Sequence, residues 1–422
     1  MKKNKLLSLA VLCILALISC KKDKTDPPPV TPPDLSPKIS AINPSSAHYG
    51  ELVTITGTQF AANAGDNVVK VGGVSIPVQQ ASTTSLTIKL PSLLASGGGA
   101  VEVTTSKGAA SGPVLTYLPD VFIAGSVNSN TNFSVARYWK NDTAVDLSNG
   151  GSDAATAGIV VAGDNIYTAG NVYNSKANPV YWLNNIETAL QSPAEGSAIN
   201  GITLSGSDVY TTGYDNTNIS VGRYWRNGVP VSLGNQSIPN GIAMAGSDVI
   251  TVGIRGGATY SKAAFWRNGT ATDLTDGSSY GEATGVAVSG TDIYISGIQN
   301  IGGTERARVW VNGTGTTISN STNHSRAHAI TVVGNVVYVA GVEMLPSGNI
   351  IAKYWKNGVE TSLTNGSTYL RISGIAVYKD DVYVTGHEQI NGRMMPVYWK
   401  NGTRVVLNSG GNTGYTSGIC LR

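Results

Sequence analysis

The chain has 422 residues, of which 51 are Gly and only 13% are charged, against average usage near ~7% Gly and ~25% charged. With 41% apolar residues it can bury a core, so wholesale disorder is excluded; helical bundles and coiled coils, which need Leu, Ala, Glu and Lys in quantity, are excluded as well. The formal charge of +3 belongs to Lys2, Lys3 and Lys5: beyond residue 19 the chain carries 26 basic and 26 acidic side chains, and no basic patch points to nucleic acid. What remains is an all-β protein with many tight turns.

Residues 1–19 read as a secretion signal. Three Lys precede a thirteen-residue apolar stretch, Leu6 to Ile18, broken only by Ser8. That is too short to span a bilayer, which takes ~20 apolar residues. The stretch ends in Leu17-Ile18-Ser19-Cys20, which resembles the bacterial lipobox. The resemblance implies that Cys20 is acylated, becomes the mature N-terminus and anchors the chain to a membrane without spanning it. Residues 20–36 form a linker. Lys21-Lys22-Asp23-Lys24 is followed by Pro27, Pro28, Pro29, Pro32 and Pro33, a density that favours an extended polyproline stalk at ~3.1 Å per residue. A charged run just after the lipid-bearing Cys is similar to the surface-export signals of Bacteroidetes lipoproteins and implies display at the outer membrane. Cys13 lies in the signal and Cys20 carries lipid, so Cys420 is left alone and no intramolecular disulfide forms.

Residues 37–118 alternate short β-rich runs with Gly and Pro turns: 53–57, 68–73, 86–91 and 101–103. Period-two strands over about eighty residues predict a small β-sandwich. Pro37, Ile39, Ile42, Pro44, Gly50, the run Val53-Thr-Ile-Thr-Gly57-Thr-Gln-Phe60, Val71-Gly72-Gly73, Leu90-Pro91 and Tyr117 resemble the IPT/TIG family of immunoglobulin-like domains. That resemblance implies a spacer or partner-contact module without catalytic residues.

Residues 120–422 repeat. All seven Trp lie here, at 139, 182, 225, 266, 310, 355 and 399, spaced 41 to 45 residues apart. Each follows a β-rich run ending in Gly, such as Val209-Tyr-Thr-Thr-Gly213, and precedes an Asn turn, such as Asn227-Gly228. Asn-Gly between apolar runs is a strong hairpin signal because both residues accept positive φ. A third anchor, Gly-Ile or its equivalent, recurs at 158, 201, 241, 285, 329, 374 and 418. Four strands per unit predict propeller blades. Six units start at those Gly-Ile anchors, and a seventh is split between residues 121–157 and the run Ser417 to Leu421, which closes the ring and removes open sheet edges. The Gly/Tyr/Trp pattern is similar to kelch repeats, with one Gly in place of two and with Tyr and Trp adjacent.

Repeated positions build the scaffold, so function is expected where repeats differ. One Trp per blade is read as inter-blade contact, and the Arg or Lys after Trp as a solvated strand end. Three residues before the Gly-Ile position the blades read Ala155, Ala198, Ile238, Glu282, Arg326, Arg371 and Tyr415: one half small or apolar, the other charged or aromatic. Asn200, Asn240 and His328 directly precede the anchor. Glu282, Arg326, His328, Arg371, Tyr415, Asn200 and Asn240 are therefore the candidate ligand-binding residues, expected around the channel mouth. Nearby segments read as loops add Tyr173, Tyr214, Arg255, Tyr260, Tyr280, Arg306, His387, Glu388 and Arg393. Flat Tyr faces with Arg and Asn donors suit polar, hydroxylated ligands. His324 and His328 have metal-ligand spacing for a helix, but their flanks predict a strand, so no metal, cofactor or catalytic residue is assigned. The expected role is a non-enzymatic binding module for glycan or protein. The alternative is a polysaccharide lyase or glycoside hydrolase, for which Glu282 and Glu388 would have to lie ~5–9.5 Å apart.

Overall fold

The computed structural model describes residues 33–91, 97–129, 133–192, 196–215 and 218–422. The signal segment, Cys20 and residues 20–32 of the linker lie outside the described residues. The first domain is the expected sandwich. Lys38–Asn43, Leu52–Thr58, Ser85–Lys89 and Val78–Ala81 form one sheet in that order; the other runs Ser46–Ala47, Gly108–Tyr117, Gly98–Thr105, Val68–Val71, Val74–Ile76. Period-two patterning decides which side chains go inside: Val53 and Ile55 are fully buried between exposed or half-buried neighbours, and they meet Val71, Leu86, Ile88, Val101 and Val103 in one core.

Seven four-stranded antiparallel sheets follow. Blade 1 consists of Asp153–Ala162, Asn165–Tyr173, Ala177–Leu183 and Ile186–Ala189, from the axis outward. The innermost strands of blades 2 to 7 are Ser197–Ser205, Ser237–Ala245, Gly281–Ser289, His324–Val333, Leu370–Tyr378 and Gly414–Leu421. Each touches the next, and Gly414–Leu421 touches both Leu370–Tyr378 and Asp153–Ala162, so the ring is closed. Blade 7 is the split unit: Gly414–Leu421 pairs with Val121–Asn128, which continues into Ser134–Lys140 and Thr143–Asp146. The inner strands start four or five residues before the Gly-Ile anchors, because a bulge lets each strand run on past the anchor.

The regular spacing of Trp and Asn along the chain has distinct causes. All seven Trp are at most 1% exposed. Trp139 clusters with Leu407, Trp182 with Leu147, Trp225 with Leu190 and Trp266 with Leu233, in each case a side chain of the preceding blade. Each turn Asn takes φ between 47° and 51°, and its side chain also clasps the second strand. Asn227 Oδ1 accepts from Val209 N at 2.9 Å while its Nδ2 donates to Asp208 Oδ1 at 2.8 Å. Asn227→Ala, which loses both bonds and places Cβ in the left-handed region, is expected to cost about 1–3 kcal/mol, and Asn227→Gly distinctly less; urea unfolding compares the two. The basic residue after Trp is not simply solvated, as its position suggests. Arg226 pairs with Asp208 at 2.7 Å, Arg267 with Asp248 at 2.9 Å and Lys400 with Asp381 at 2.8 Å, because each turn brings the strand end back to the start of its neighbour.

The two domains meet at a buried carboxylate. Asp120, 1% exposed at its side chain, accepts from Arg422 Nη2 at 2.7 Å and Asn141 Nδ2 at 2.8 Å, with Lys140 Nζ at 3.3 Å. His48 of the sandwich brings Nδ1 to 3.2 Å, out of hydrogen-bonding alignment. The Arg422 guanidinium lies 4.2 Å from the Tyr49 ring of the sandwich. Burial pushes the Asp120 carboxyl up, but Arg422, Asn141 and Lys140 together outweigh it and hold it below its usual 3.8. Because the folded value lies below the unfolded one, its stabilisation is complete above the unfolded value and is lost as pH falls through the folded one. Asp120→Asn is expected to lower stability at pH 7 by about 1.5–3 kcal/mol and to flatten the acid limb below pH 4. Thermal melts across pH 2.5–7 read both effects.

Candidate functional site

The channel mouth is shaped by backbone. In every blade the inner strand carries a bulge at the residue before the anchor, for example between Ile199 and Gly201 and between Ile372 and Gly374. The Gly that ends each β-rich run makes room for it. A Cβ on Gly213 would lie 1.8 Å from Ala198 O, and one on Gly386 2.2 Å from Arg371 O; no other residue fits under that carbonyl. A bulge of this kind re-aims the side chains that flank it. The residue before the bulge pair is the variable position, so Ala155, Ala198, Ile238, Glu282, Arg326, Arg371 and Tyr415 occupy equivalent places in seven blades.

The bulged residues themselves line a channel cavity of about 240 Å³, among them Asn200, Asn240, Thr284, His328 and Ser373. Both candidate amides, Asn200 and Asn240, line this cavity and also have protein partners. Asn200 Nδ2 donates to Pro239 O of the next blade at 2.8 Å, and Asn240 Nδ2 donates to Ala283 O and Glu282 Oε1, both at 3.0 Å. Thr284 Oγ1 repeats the pattern, donating to Ala327 O at 2.9 Å. The bulge turns these side chains sideways, and they stitch blade to blade. His328 occupies the same position; burial, then Arg326 and Arg371, pushes its imidazole down to about 4, so it is neutral at pH 7. His324 instead faces Glu305, 3.8 Å away. Among the described residues no group of three or more His, Cys, Asp or Glu converges as a metal site.

Most of the charged rim residues are matched. Glu282 accepts from the Tyr280 hydroxyl at 2.5 Å as well as from Asn240. Arg326 makes a two-pronged pair with Glu305, Nε to Oε2 at 2.7 Å and Nη2 to Oε1 at 2.9 Å. Arg371 and Tyr415 are exposed. His387 and Glu388, read as loop residues, lie in the strand Asp381–Ile390 and are buried, because the second strand runs past its Gly to pair with the bulged inner strand. Glu388 is held by Ser367 and by Arg404 at 2.9 Å. Glu282 and Glu388 therefore belong to separate hydrogen-bonded sets in blades 4 and 6. Asp215 with Arg223, and Glu343 with Lys353, are buried ion pairs at the equivalent second-strand position in blades 2 and 5. Arg255 is paired with Asp273 at 2.9 Å, Arg306 with Ser321 O, and Arg393 with Gly411 O at 2.6 Å.

A cleft of about 580 Å³ opens on the same face between blades 3 and 4, lined by Tyr260, Ser278, Tyr280, Gln299 and Asn300 among others. Tyr260 is 49% exposed and offers a ring face. Tyr280 is half-buried, and desolvation followed by its bond to Glu282 raises its phenol far above the usual 10.0, so it stays protonated. Tyr260 and Tyr280 were legible as variable-segment aromatics. Gln299 was not, because nothing in the β-rich run ending at Gly297 signals that its strand continues to Ile301.

Against solved structures, the chain is 13% identical to a protein of unknown function from Bacteroides thetaiotaomicron, covering 92% of this chain and 99% of that one, TM-score 0.43. An auxiliary nutrient binding protein from the same organism is 11% identical over 92% and 98%, TM-score 0.35. The β-propeller domain of the Trilobed protease from Pyrococcus furiosus, which has an open velcro topology, is 10% identical over 88% and 98%, TM-score 0.42. No curated protein matches the chain. Residues 37–117 match the IPT/TIG domain family, which identifies the sandwich as an IPT/TIG domain.

Proposed function

We propose that the chain is a lipid-anchored outer-membrane protein, displayed at the cell surface, whose kelch-like propeller binds glycan without catalysis while the IPT/TIG domain acts as spacer. The lipid and the address rest on the Ser19-Cys20 resemblance and the charged, proline-rich segment after it. The binding role rests on one observation: an open cleft of about 580 Å³ lined by Tyr260, Tyr280, Gln299 and Asn300, of which Asn300 Oδ1 already accepts from Gly303 N at 3.0 Å. Flat aromatic faces cover the apolar face of a sugar, and amides satisfy its hydroxyls. The non-catalytic part of the reading is supported by the rim carboxylates and Arg326 being engaged in hydrogen bonds or ion pairs; general acid–base catalysis needs a group free to exchange a proton with substrate.

A glycan array probed with the purified protein tests the reading. At least one oligosaccharide class is expected to bind and to raise the melting temperature. Tyr260→Ala, at an exposed position, is expected to weaken that binding threefold to tenfold, the ~0.5–1.5 kcal/mol of one aromatic contact, with the unliganded melt unchanged. Absence of binding to every glycan, with no shift in melting temperature, overturns the glycan assignment.

A further inference from the structure

One guanidinium on the rim is unmatched. Glu282 and Arg326 have partners, but Arg371 is exposed and, among the described residues, makes no hydrogen bond or ion pair. Its cross-strand neighbour is His387, only 8% exposed, whose Nδ1 finds no hydrogen-bond partner among the described residues. The His387 ring meets Tyr415 of blade 7 edge-on, centroids 5.1 Å apart at 82°. His328 is close enough to feel the charge of both Arg371 and Arg326. Among the described residues no carboxylate pairs with Arg371: Glu388, which pairs in register with the adjacent Leu370, is taken by Ser367 and Arg404. A buried ring nitrogen left without a partner is destabilising, and a deficit of that kind in a folded protein calls for an explanation, a bound ion or ligand among them.

We propose that Arg371, His387 and Tyr415 form a site for a single carboxylate, borne by an acidic sugar, at the channel mouth between blades 6 and 7. The inference rests on the binding-face reading above and names the class of glycan that face takes. The planar guanidinium fork of Arg371 matches a carboxylate in two parallel N–H···O bonds. Tyr415, exposed beside the His387 ring, adds a hydroxyl donor, and His387, kept neutral by burial and Arg371, adds a ring nitrogen with no protein partner among the described residues. One uncompensated positive charge suits a monoanion, and the neutral imidazoles around it add no second charge for a phosphate dianion. The equivalent positions in blades 1 to 3, Ala155, Ala198 and Ile238, carry no charge, so among these positions the anion is read from the blade 6 side.

The test uses the full chain with an oligogalacturonate tetramer and its methyl ester, measured by calorimetry, and free galacturonate, followed through the imidazole ¹⁵N resonances. The acid tetramer is expected to bind at least tenfold more tightly than the ester. Arg371→Ala should abolish that difference with the melting temperature unchanged, and Arg371→Lys should restore part of it. Galacturonate should shift the His387 resonances in the wild type and not in Arg371→Ala. If acid and ester bind alike and Arg371→Ala changes neither, the carboxylate site is overturned while the glycan-binding face stands. If neither tetramer binds but galacturonate shifts His387 in an Arg371-dependent way, the carboxylate site stands and the glycan array alone decides the wider face. Silence in every measurement overturns the carboxylate site and leaves the glycan face to the array.

Discussion

Removal of residues 414–422 is expected to abolish cooperative folding of the propeller. The segment supplies the inner strand of blade 7 through the ladder Val121↔Leu421 to Val127↔Gly414, and it fills the place between the inner strands of blades 6 and 1. Without it, Val121–Asn128 becomes an open edge facing the channel, and open edges template aggregation. The same cut removes Arg422 and with it the bond to Asp120 that spans 302 residues of sequence. Even at ~0.5–1.5 kcal/mol per hydrogen bond, the lost ladder alone is comparable with the whole ~5–15 kcal/mol margin of a folded domain. Near-UV circular dichroism and size-exclusion chromatography should report a loss of fixed tertiary structure and association. A truncated chain that melts cooperatively at the parent temperature contradicts the closed ring.

The second large effect is expected from the Trp column. Trp139 is fully buried against Leu407, and Trp139→Ala should cost about 3–5 kcal/mol, as large-to-small core substitutions do. A finer comparison separates volume from hydrogen bonding. Trp139 Nε1 donates to Asn408 O at 2.7 Å, whereas Trp355 Nε1, in an equivalent blade position, has no partner among the described residues. Trp139→Phe should therefore be more destabilising than Trp355→Phe by about 1 kcal/mol, read as the difference in urea midpoints at equal slope. Equal costs would assign the column to packing alone.

Blade number, ring closure and the sandwich were legible because they rest on local signals: one Trp and one Asn turn per blade, and period-two runs bounded by Gly. The site was legible only in part. The spacing from each anchor placed Glu282, Arg326, Arg371 and Tyr415 at one register position, and the strand pairing has them there. The inter-blade partners of Asn200 and Asn240 were not legible because a bulge leaves no mark in the strand that carries it; its cause is the Gly on the neighbouring strand, some thirteen residues away in the case of Asn200 and Gly213. His387 and Glu388 were read as loop for the same reason, since the run Val382 to Gly386 ends the recognisable pattern while the strand continues to Ile390. The ion pairs after Trp had a signal that went unused: Asp208 and Arg226, or Asp381 and Lys400, recur at a separation of 18 or 19 residues, the length of one hairpin. Single-sided patterns are easy to see, whereas pairings between repeats require the register.

The bulge has a consequence for how such a protein diversifies. Each rim side chain is placed by its own carbonyl lying over a Gly, a contact made wholly by main chain. The identity of the side chain does not enter that contact, so the seven positions can be rewritten one by one while the Trp column, the Asn clasps and the Asp120 junction keep the ring intact. Ala155 and Arg371 already show the range that the position tolerates within a single chain. A propeller of this design separates the inheritance of shape from the inheritance of ligand preference. New specificity can then arise by point substitution at the mouth, without insertion, deletion or loss of the scaffold.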